Sequence, residues 1–271
     1  MSFRNWLTQI PDWKVLIRIP VLIYCTIAAY GFFFADRQMF IPQYASQAPL
    51  PKPPIAITTP NGEIITLVHL THPQATHTIL YSHGNAETLG SIYPHLLKLK
   101  DLGFNVIAYD YRGYGLSQGT PSETNAYQDI EATYKYATEQ LQIPSRRIIL
   151  FGRSIGGGPS TYLASQKPIA GLILESTFTS IFRVVIPFPL LPFDKFPNRD
   201  RIAQVKAPVL IIHGNRDEII PFEHGKILFQ AASNPKQFQA IPNAGHNDVS
   251  DIGGIIYSQA IKDFVAKIAK N

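Results

Sequence analysis

The chain of 271 residues has a single cysteine, Cys25, and that residue lies in an apolar segment. One cysteine excludes an intrachain disulfide and any metal site built from several cysteines. Charged residues make up only 16% of the chain, and the net charge of +5 is not gathered into a basic run. Nucleic-acid-binding proteins concentrate positive charge on one face or segment, so we expect no nucleic-acid partner. The hydrophobic fraction of 45%, without internal repeats, favours a globular body with a sizeable core.

A long uncharged stretch, IPVLIYCTIAAYGFFFA, occupies residues 19–35. This length is at the short end of what spans a bilayer, and Arg4, Lys14 and Arg18 precede it. We predict a single membrane-spanning anchor within residues 1–36, with the N-terminus cytoplasmic and the remainder across the membrane. A cleaved signal peptide and a buried or interfacial helix are the alternatives. The stretch ends in three phenylalanines instead of the small residues typical of a cleavage site.

A proline-rich segment separates this stretch from the rest of the chain, and we predict an extended linker over residues 37–54. A catalytic domain is predicted over residues 55–271, where uncharged strand patterns alternate with helical patterns. Strand patterns begin near residues 65, 77, 104, 147, 170, 208 and 236, and helical patterns cover 93–103, 123–141, 156–166, 224–233 and 253–270. This alternation predicts an α/β fold with a mostly parallel sheet covered by helices on both faces. Sites in such folds form at the carboxyl ends of the strands.

The pentapeptide GRSIG, residues 152–156, has the form G-x-S-x-G. The motif is weak on its own, but here it follows a predicted strand and precedes a predicted helix, which is the context expected for a catalytic serine. A sharp strand-to-helix turn would hold Ser154 in a strained backbone conformation and point its hydroxyl away from the sheet. We therefore predict that Ser154 is a nucleophile. The alternative is a serine that caps a glycine-rich helix.

A serine hydroxyl needs a general base, and the base needs an orienting carboxylate. The order serine, acid, histidine along the chain favours Asp217, directly after a strand, and His246, after the last strand. Glu175 and Glu218 are the rival candidates for the acid. Asp248 is predicted to brace the turn that carries His246.

An oxyanion hole requires two backbone N–H groups beside the nucleophile. We predict that Ile155, which follows the serine, supplies one of them. Asn85, in the SHGNA loop after an earlier strand, is predicted to supply the other. The alternative for this loop is an ordinary glycine turn.

Six segments occur in order along the chain: SHGNAE, YDYRGYGLSQGTPSE, GRSIGGG, LESTFTS, HGNRDEIIP and GHND. Together they resemble the α/β-hydrolase superfamily and, more narrowly, its membrane-anchored bud-emergence-type serine hydrolases, over roughly residues 55–270. The resemblance implies a triad of Ser154, Asp217 and His246, and structural roles for Asp110 and Arg112. Palmitate-removing relatives carry a lipidated, cysteine-rich N-terminus. With Cys25 alone, this chain is expected to use a transmembrane helix instead.

An insertion at about residues 178–202 is predicted to form a short apolar cap over the site. It contains five phenylalanines (Phe178, Phe182, Phe188, Phe193 and Phe196), and such a lining suits an acyl chain. The same side chains could instead only pack the cap onto the body.

The predicted nucleophile is a serine. Dehalogenases and epoxide hydrolases of this fold use aspartate at the same corner, so the sequence disfavours these two reaction classes.

We therefore predict a serine hydrolase that cleaves carboxylic ester or thioester bonds of a small hydrophobic acyl substrate, such as a lipid or an acylated protein, through an acyl-enzyme. No metal and no organic cofactor is expected. Three alternatives remain: a serine peptidase or amidase of the same fold, a haloperoxidase-like reaction, and a non-catalytic membrane-tethered scaffold.

Overall fold

An eight-stranded sheet forms the centre of the computed structural model, which describes residues 13–42, 45 and 48–268. The strands are β1 (Ile55–Thr58), β2 (Ile64–Leu70), β3 (Thr78–Ser82), β4 (Asn105–Tyr109), β5 (Ile148–Arg153), β6 (Gly171–Glu175), β7 (Val209–Gly214) and β8 (Lys236–Ile241). The helices are α1 (Trp13–Met39), α2 (Leu89–Asp101), α3 (Glu123–Lys135), α4 (Gly157–Gln166), α5 (Ile181–Val185), α6 (Asn198–Ile202), α7 (Glu223–Ala231) and α8 (Val249–Ile268).

The strand order across the sheet is β1-β2-β4-β3-β5-β6-β7-β8. The pairs β1–β2 and β2–β4 are antiparallel, and the other five pairs are parallel. Side chains from α3, α4 and α7 pack in one apolar cluster, whereas those from α2 and α8 pack in a second cluster on the other face. The predicted α/β fold, with a mostly parallel sheet covered on both faces, is confirmed.

The strand order reverses at β3, which pairs with β4 on one side and with β5 on the other. The connections after β3 and β5 therefore leave in opposite directions and open a crevice at the carboxyl ends of these two strands. The loop that begins at His83 and the turn that carries Ser154 flank this crevice. The sheet thus positions both predicted halves of the oxyanion hole at one place.

Several elements differ from the sequence-based expectation. Strand β1 and the short helices α5 and α6 were not predicted, because four or five residues are too few to show a period. Helix α2 begins at Leu89, ahead of the predicted residue 93, since Thr88 and Ser91 form a capping box. Pro94 is the sixth residue of this helix, and it removes the intrahelical hydrogen bond that its N–H would have donated to the carbonyl of Gly90.

Among the described residues, one helix is long and apolar enough to cross a membrane. It covers Lys14–Met39 with a mean hydropathy of 1.8, and 0% of its most apolar window is buried. The helix extends beyond the predicted anchor boundary at residue 36, and Met39 and Phe40 are buried against the body. Arg4 lies outside the described residues. The domain boundaries at 1–36, 37–54 and 55–271 stay a prediction.

Candidate active site

Ser154 directly follows β5, at the turn into α4, and its φ of 51° lies in the left-handed region. Two glycines make this turn possible. A Cβ on Gly152 would lie 2.4 Å from the carbonyl oxygen of Gly156, and a Cβ on Gly156 would lie 2.1 Å from the carbonyl oxygen of Ser82. Both contacts are with backbone atoms, so the chain cannot relieve them by moving a side chain. The G-x-S-x-G spacing thus has the steric cause expected from the sequence.

Replacing Gly156 by alanine is expected to destabilise the protein by about 3 kcal/mol, the upper part of the range for overpacking, because the end of β3 would have to move. The midpoint of urea unfolding measures the effect. Gly245→Ala is the matched control, since its Cβ would lie 3.5 Å from its nearest neighbour, the Asp248 Oδ1 atom. Equal midpoints for the two variants would contradict the steric argument.

The structure brings Ser154, His246 and Asp217 together, and all three are buried. The His246 Nε2 atom lies 3.0 Å from the Ser154 hydroxyl oxygen. The His246 Nδ1 atom lies 2.8 Å from Asp217 Oδ2. An N–H at Nδ1 would donate a hydrogen bond to the carboxylate and would leave Nε2 unprotonated, free to accept the serine proton. The three residues come from the ends of β5, β7 and β8, which only the folded sheet places side by side.

The Asp217 carboxylate accepts hydrogen bonds on both oxygens. Oδ1 accepts from the backbone N–H groups of Ile219 and Ile220, at 3.0 and 2.8 Å, and Oδ2 also lies 3.3 Å from His213 Nε2. Burial alone would raise the pKa of Asp217, but hydrogen bonds with His213 and His246 outweigh it and hold the pKa well below its usual range. Asp217 therefore stays ionised at neutral pH beside His246.

The rival acids lie elsewhere. Glu175 pairs with Arg153 Nε at 3.3 Å and accepts a hydrogen bond of 2.7 Å from the Tyr257 hydroxyl. Glu218 is exposed. Asp248 accepts a hydrogen bond of 2.7 Å from the Gly245 N–H, which braces the turn before His246 in the predicted way. Of the four acids considered, only Asp217 contacts the His246 ring.

The loop after β3 carries Asn85, one of the two residues predicted to donate a backbone hydrogen bond to the oxyanion. Its side chain donates to the carbonyl of Met39 at 2.6 Å and accepts from the N–H of Ile41 at 3.2 Å and from the Tyr114 hydroxyl at 2.5 Å. Within the described part of the chain, neither the backbone N–H of Asn85 nor that of Ile155 donates a hydrogen bond. Both donors are thus free for a ligand. The contact with the end of α1 had no sequence signal.

Arg153, one residue before the nucleophile, ties three loops together, and sequence reasoning missed it. Its guanidinium contacts Glu87 and Glu175, and it donates to the carbonyl of His246 at 3.2 Å and to Asn247 Oδ1 at 2.9 Å. Glu87 in turn accepts a hydrogen bond of 2.6 Å from the Gly84 N–H. The arginine therefore connects the oxyanion loop, the nucleophile turn and the loop that carries the base.

Asp110 and Arg112 have the structural contacts that the resemblance implied. Asp110 Oδ1 accepts from the Leu89 N–H at 2.9 Å. Arg112 is fully buried, and it donates to Asp129 Oδ1 at 2.7 Å and to Glu63 Oε2 at 2.8 Å. These bonds fix the loop after β4 against α3.

A cavity of about 630 Å³ lies between the cap segment and α7. Four of its lining residues, Val184, Pro187, Pro189 and Pro197, are apolar cap residues, but it is also lined by charged side chains (Arg183, Asp194, Arg199, Asp200 and Glu223). Neither Ser154 nor His246 lines it.

Comparison with known proteins shows which family the chain resembles. A family described as serine aminopeptidase, S33, matches residues 73–195. Alpha/beta hydrolase domain-containing protein 17B of Homo sapiens is 41% identical over 198 residues, which are 72% of this chain and 68% of the relative. Alpha/beta hydrolase domain-containing protein aho-3 of Caenorhabditis elegans is 42% identical over 180 residues, 65% of this chain and 54% of the relative.

Solved structures show the same fold. An esterase from Pyrococcus furiosus superposes with a TM-score of 0.69 at 19% identity, covering 80% of this chain and 90% of that one. Est1E from Butyrivibrio proteoclasticus, solved with ferulic acid bound, gives a TM-score of 0.67 at 19% identity, covering 80% of this chain and 100% of that one. At this identity the likeness establishes the α/β-hydrolase fold.

Proposed function

Because the chain belongs to the family of alpha/beta hydrolase domain-containing protein 17 and is an esterase-like serine hydrolase, we propose that Ser154, His246 and Asp217 are its catalytic triad. We further propose that it cleaves carboxylic ester or thioester bonds of a hydrophobic acyl substrate. The observation that carries the proposal is the pair of contacts on the His246 ring, 3.0 Å to the Ser154 hydroxyl oxygen and 2.8 Å to Asp217.

The reaction proceeds in two halves. The Ser154 hydroxyl oxygen attacks the substrate carbonyl carbon while its proton passes to His246 Nε2. The carbonyl oxygen becomes an oxyanion that accepts hydrogen bonds from the N–H groups of Asn85 and Ile155. The carbon–oxygen or carbon–sulfur bond then breaks, and His246 returns the proton to the leaving group. Water, deprotonated by His246, cleaves the acyl-serine and regenerates the enzyme. Asp217 remains ionised and holds the imidazole tautomer.

The cap supports the choice of a hydrophobic acyl group. Between β6 and β7 the chain forms only α5 and α6, so the segment is too short for a separate entry domain. Phe178 and Phe196 are buried at its base, whereas Phe188 is exposed at its tip. Catalysis here needs no metal or organic cofactor, because the triad itself activates the nucleophile.

We also propose that α1 anchors the protein in a membrane as a single span, with the N-terminus cytoplasmic and the catalytic domain on the other side. Its length, its mean hydropathy of 1.8 and its unburied surface support a span. The positions of Lys14 and Arg18 before the apolar stretch support the orientation.

Labelling with a fluorophosphonate probe tests the triad in the full-length, detergent-solubilised protein. Wild type is expected to be labelled, whereas Ser154→Ala and His246→Ala are expected to show no labelling, since the probe needs an activated serine. Ser160→Ala is a matched control. Ser160 is a buried serine close to the site, and its hydroxyl bonds to the Ser82 hydroxyl and not to His246. Labelling that persists in a folded Ser154→Ala variant would place the nucleophile elsewhere.

A substrate panel separates the reaction classes. Nitrophenyl esters and acyl thioesters of increasing chain length are expected to be hydrolysed with kcat/KM rising with acyl length, because a longer chain buries more apolar surface. Faster cleavage of aminoacyl anilides would favour the peptidase alternative. A folded protein that neither labels nor turns over any of these compounds would favour the scaffold alternative.

A further inference from the structure

A second histidine, His213, lies beside the acid of the site. It is near the end of β7, four residues before Asp217, and its side chain is fully buried. Its Nε2 atom faces two acceptors: the carbonyl oxygen of Ile220 lies 2.9 Å away, and Asp217 Oδ2 lies 3.3 Å away. Because both oxygens can only accept, the neutral ring carries its proton on Nε2. This N–H is thus shared between the acid and the loop that follows it.

The other nitrogen of the His213 ring has no partner. Nδ1 is buried and makes no hydrogen bond within the part of the chain that the structure describes. A buried polar atom without a partner costs about 1–3 kcal/mol, and an apolar side chain at this position would avoid that cost. Native proteins contain few such atoms, and each calls for a reason. Since the ring bonds through Nε2, the reason for a histidine here lies in that N–H.

Helix α7 holds the His213 ring in one orientation. A Cβ on Gly225 would lie 2.7 Å from Nδ1, so the helix backbone approaches closely on the side of the unpartnered nitrogen. The ring of Phe222 packs edge to face against the imidazole, with centroids 5.8 Å apart. The ring therefore cannot turn to give Nδ1 a partner without displacing α7, and Nε2 stays directed at the acid.

The contacts of His213 and Asp217 close a ring of hydrogen bonds around Ile220. The Ile220 N–H donates to Asp217 Oδ1 at 2.8 Å, while the Ile220 carbonyl accepts from His213. The other carboxylate oxygen, Oδ2, lies 2.8 Å from His246 Nδ1 and 3.3 Å from His213 Nε2. The oxygen that orients the base is thus placed between two imidazole rings, one of which belongs to β7.

The ionisation of Asp217 depends on the same contact. Burial is the largest effect on this carboxyl and by itself raises its pKa. Several contacts together outweigh burial and hold the pKa of Asp217 well below its usual range, and the hydrogen bond with His213 is the largest of them, ahead of the one with His246. His213 therefore supports the charged form of the acid that orients the base.

From this geometry we propose that His213 is a positioning residue of the active site. Its Nε2–H holds Asp217 Oδ2 and the Ile220 carbonyl, so that the carboxylate meets His246 Nδ1 in the orientation that keeps the base in its productive tautomer. The inference rests on the proposed triad, and it assigns to the site a second histidine that acts through the acid.

Asparagine and glutamine at position 213 separate positioning from packing. The amide nitrogen of glutamine reaches the place of Nε2, whereas that of asparagine ends near the place of Nδ1, too far from Asp217. His213→Asn is expected to lower kcat for a nitrophenyl ester by about tenfold to a hundredfold, with KM within a few fold, because the acid is no longer held in place. His213→Gln is expected to keep kcat within a few fold of wild type. Equal kcat in the two folded variants would overturn the proposal.

Gly225→Ala tests the same role without changing the histidine. Its Cβ would overlap Nδ1 and displace the ring, so this variant is also expected to lower kcat more than KM changes. The low-field proton resonance of the His246 Nδ1–H reports the hydrogen bond to Asp217. This resonance is expected to shift in His213→Asn and Gly225→Ala and to stay in place in His213→Gln. An unchanged resonance in His213→Asn would contradict the proposed role.

His77→Asn is the matched control. His77 is a buried histidine directly before β3, at the opposite end of the sheet from the site, and it bonds to the neighbouring Thr76. This variant is expected to change neither kcat nor the resonance. Failure of the triad is distinguishable, because a wild type that neither reacts with fluorophosphonate nor hydrolyses any ester would reject the proposed hydrolase function and this inference with it. A labelled, active wild type with equal kcat in His213→Asn and His213→Gln would reject the role of His213 alone.

Discussion

Asp217→Asn is expected to lower kcat by about 10⁴-fold, the loss that this replacement causes in a serine-protease triad, and to leave KM within a few fold. The carboxylate accepts a hydrogen bond of 2.8 Å from His246 Nδ1. An asparagine amide can donate to the ring and so favours the tautomer whose proton lies on Nε2, facing Ser154. That tautomer cannot accept the serine proton. Steady-state hydrolysis of a nitrophenyl ester measures the loss.

Three matched variants show whether the loss is specific to the triad. Glu175→Gln and Glu218→Gln each remove one negative charge from a rival candidate for the acid, and Asp248→Asn removes one from the acid that braces the His246 turn. None of these acids contacts the His246 ring, so each variant is expected to keep a far larger kcat than Asp217→Asn. A loss of about 10⁴-fold in Glu175→Gln with near-normal activity in Asp217→Asn would reassign the acid.

Much of the site could be predicted from sequence because its signals are local. The glycines around Ser154 are required by backbone contacts within a few residues or with the neighbouring strand, and these contacts leave a fixed spacing in the sequence. Asp217 and His246 follow strands, and parallel strands bring their carboxyl ends to one edge. The catalytic roles themselves stay predictions until the variants are measured.

The remaining features could not be predicted because they depend on tertiary contacts without a local pattern. Asn85 was selected for its backbone N–H, yet its side chain bonds to Met39 and Ile41, more than forty residues earlier. Met39 and Ile41 lie in the segment that was predicted to be an extended linker, so nothing in the sequence indicated that they would contact the oxyanion loop. Arg153 looked like the variable position of a G-x-S-x-G motif. Three of its four partners lie in loops distant along the chain, and the fourth, Glu175, ends the neighbouring strand β6.

Arg153→Ala is expected to destabilise the protein by about 3–5 kcal/mol, because it would leave the Glu87 and Glu175 carboxylates without their shared cation. The Glu175 side chain is only 3% exposed, so water cannot replace the guanidinium there. The midpoint of urea unfolding, followed by tyrosine fluorescence, measures the effect. Arg199→Ala, at an exposed arginine of the cap, is the matched control and is expected to change stability by less than about 0.5 kcal/mol.

Arg153→Lys separates positioning from stability. A lysine keeps the positive charge near the two carboxylates, but its single ammonium cannot also reach the His246 carbonyl and Asn247 in the geometry of the guanidinium. This variant is expected to fold and to lose kcat by about tenfold or more with little change in KM, since the loop that carries the base would no longer be held. Full activity in Arg153→Lys would show that the charge of Arg153 is sufficient, and that its hydrogen bonds to the His246 loop do not position the base.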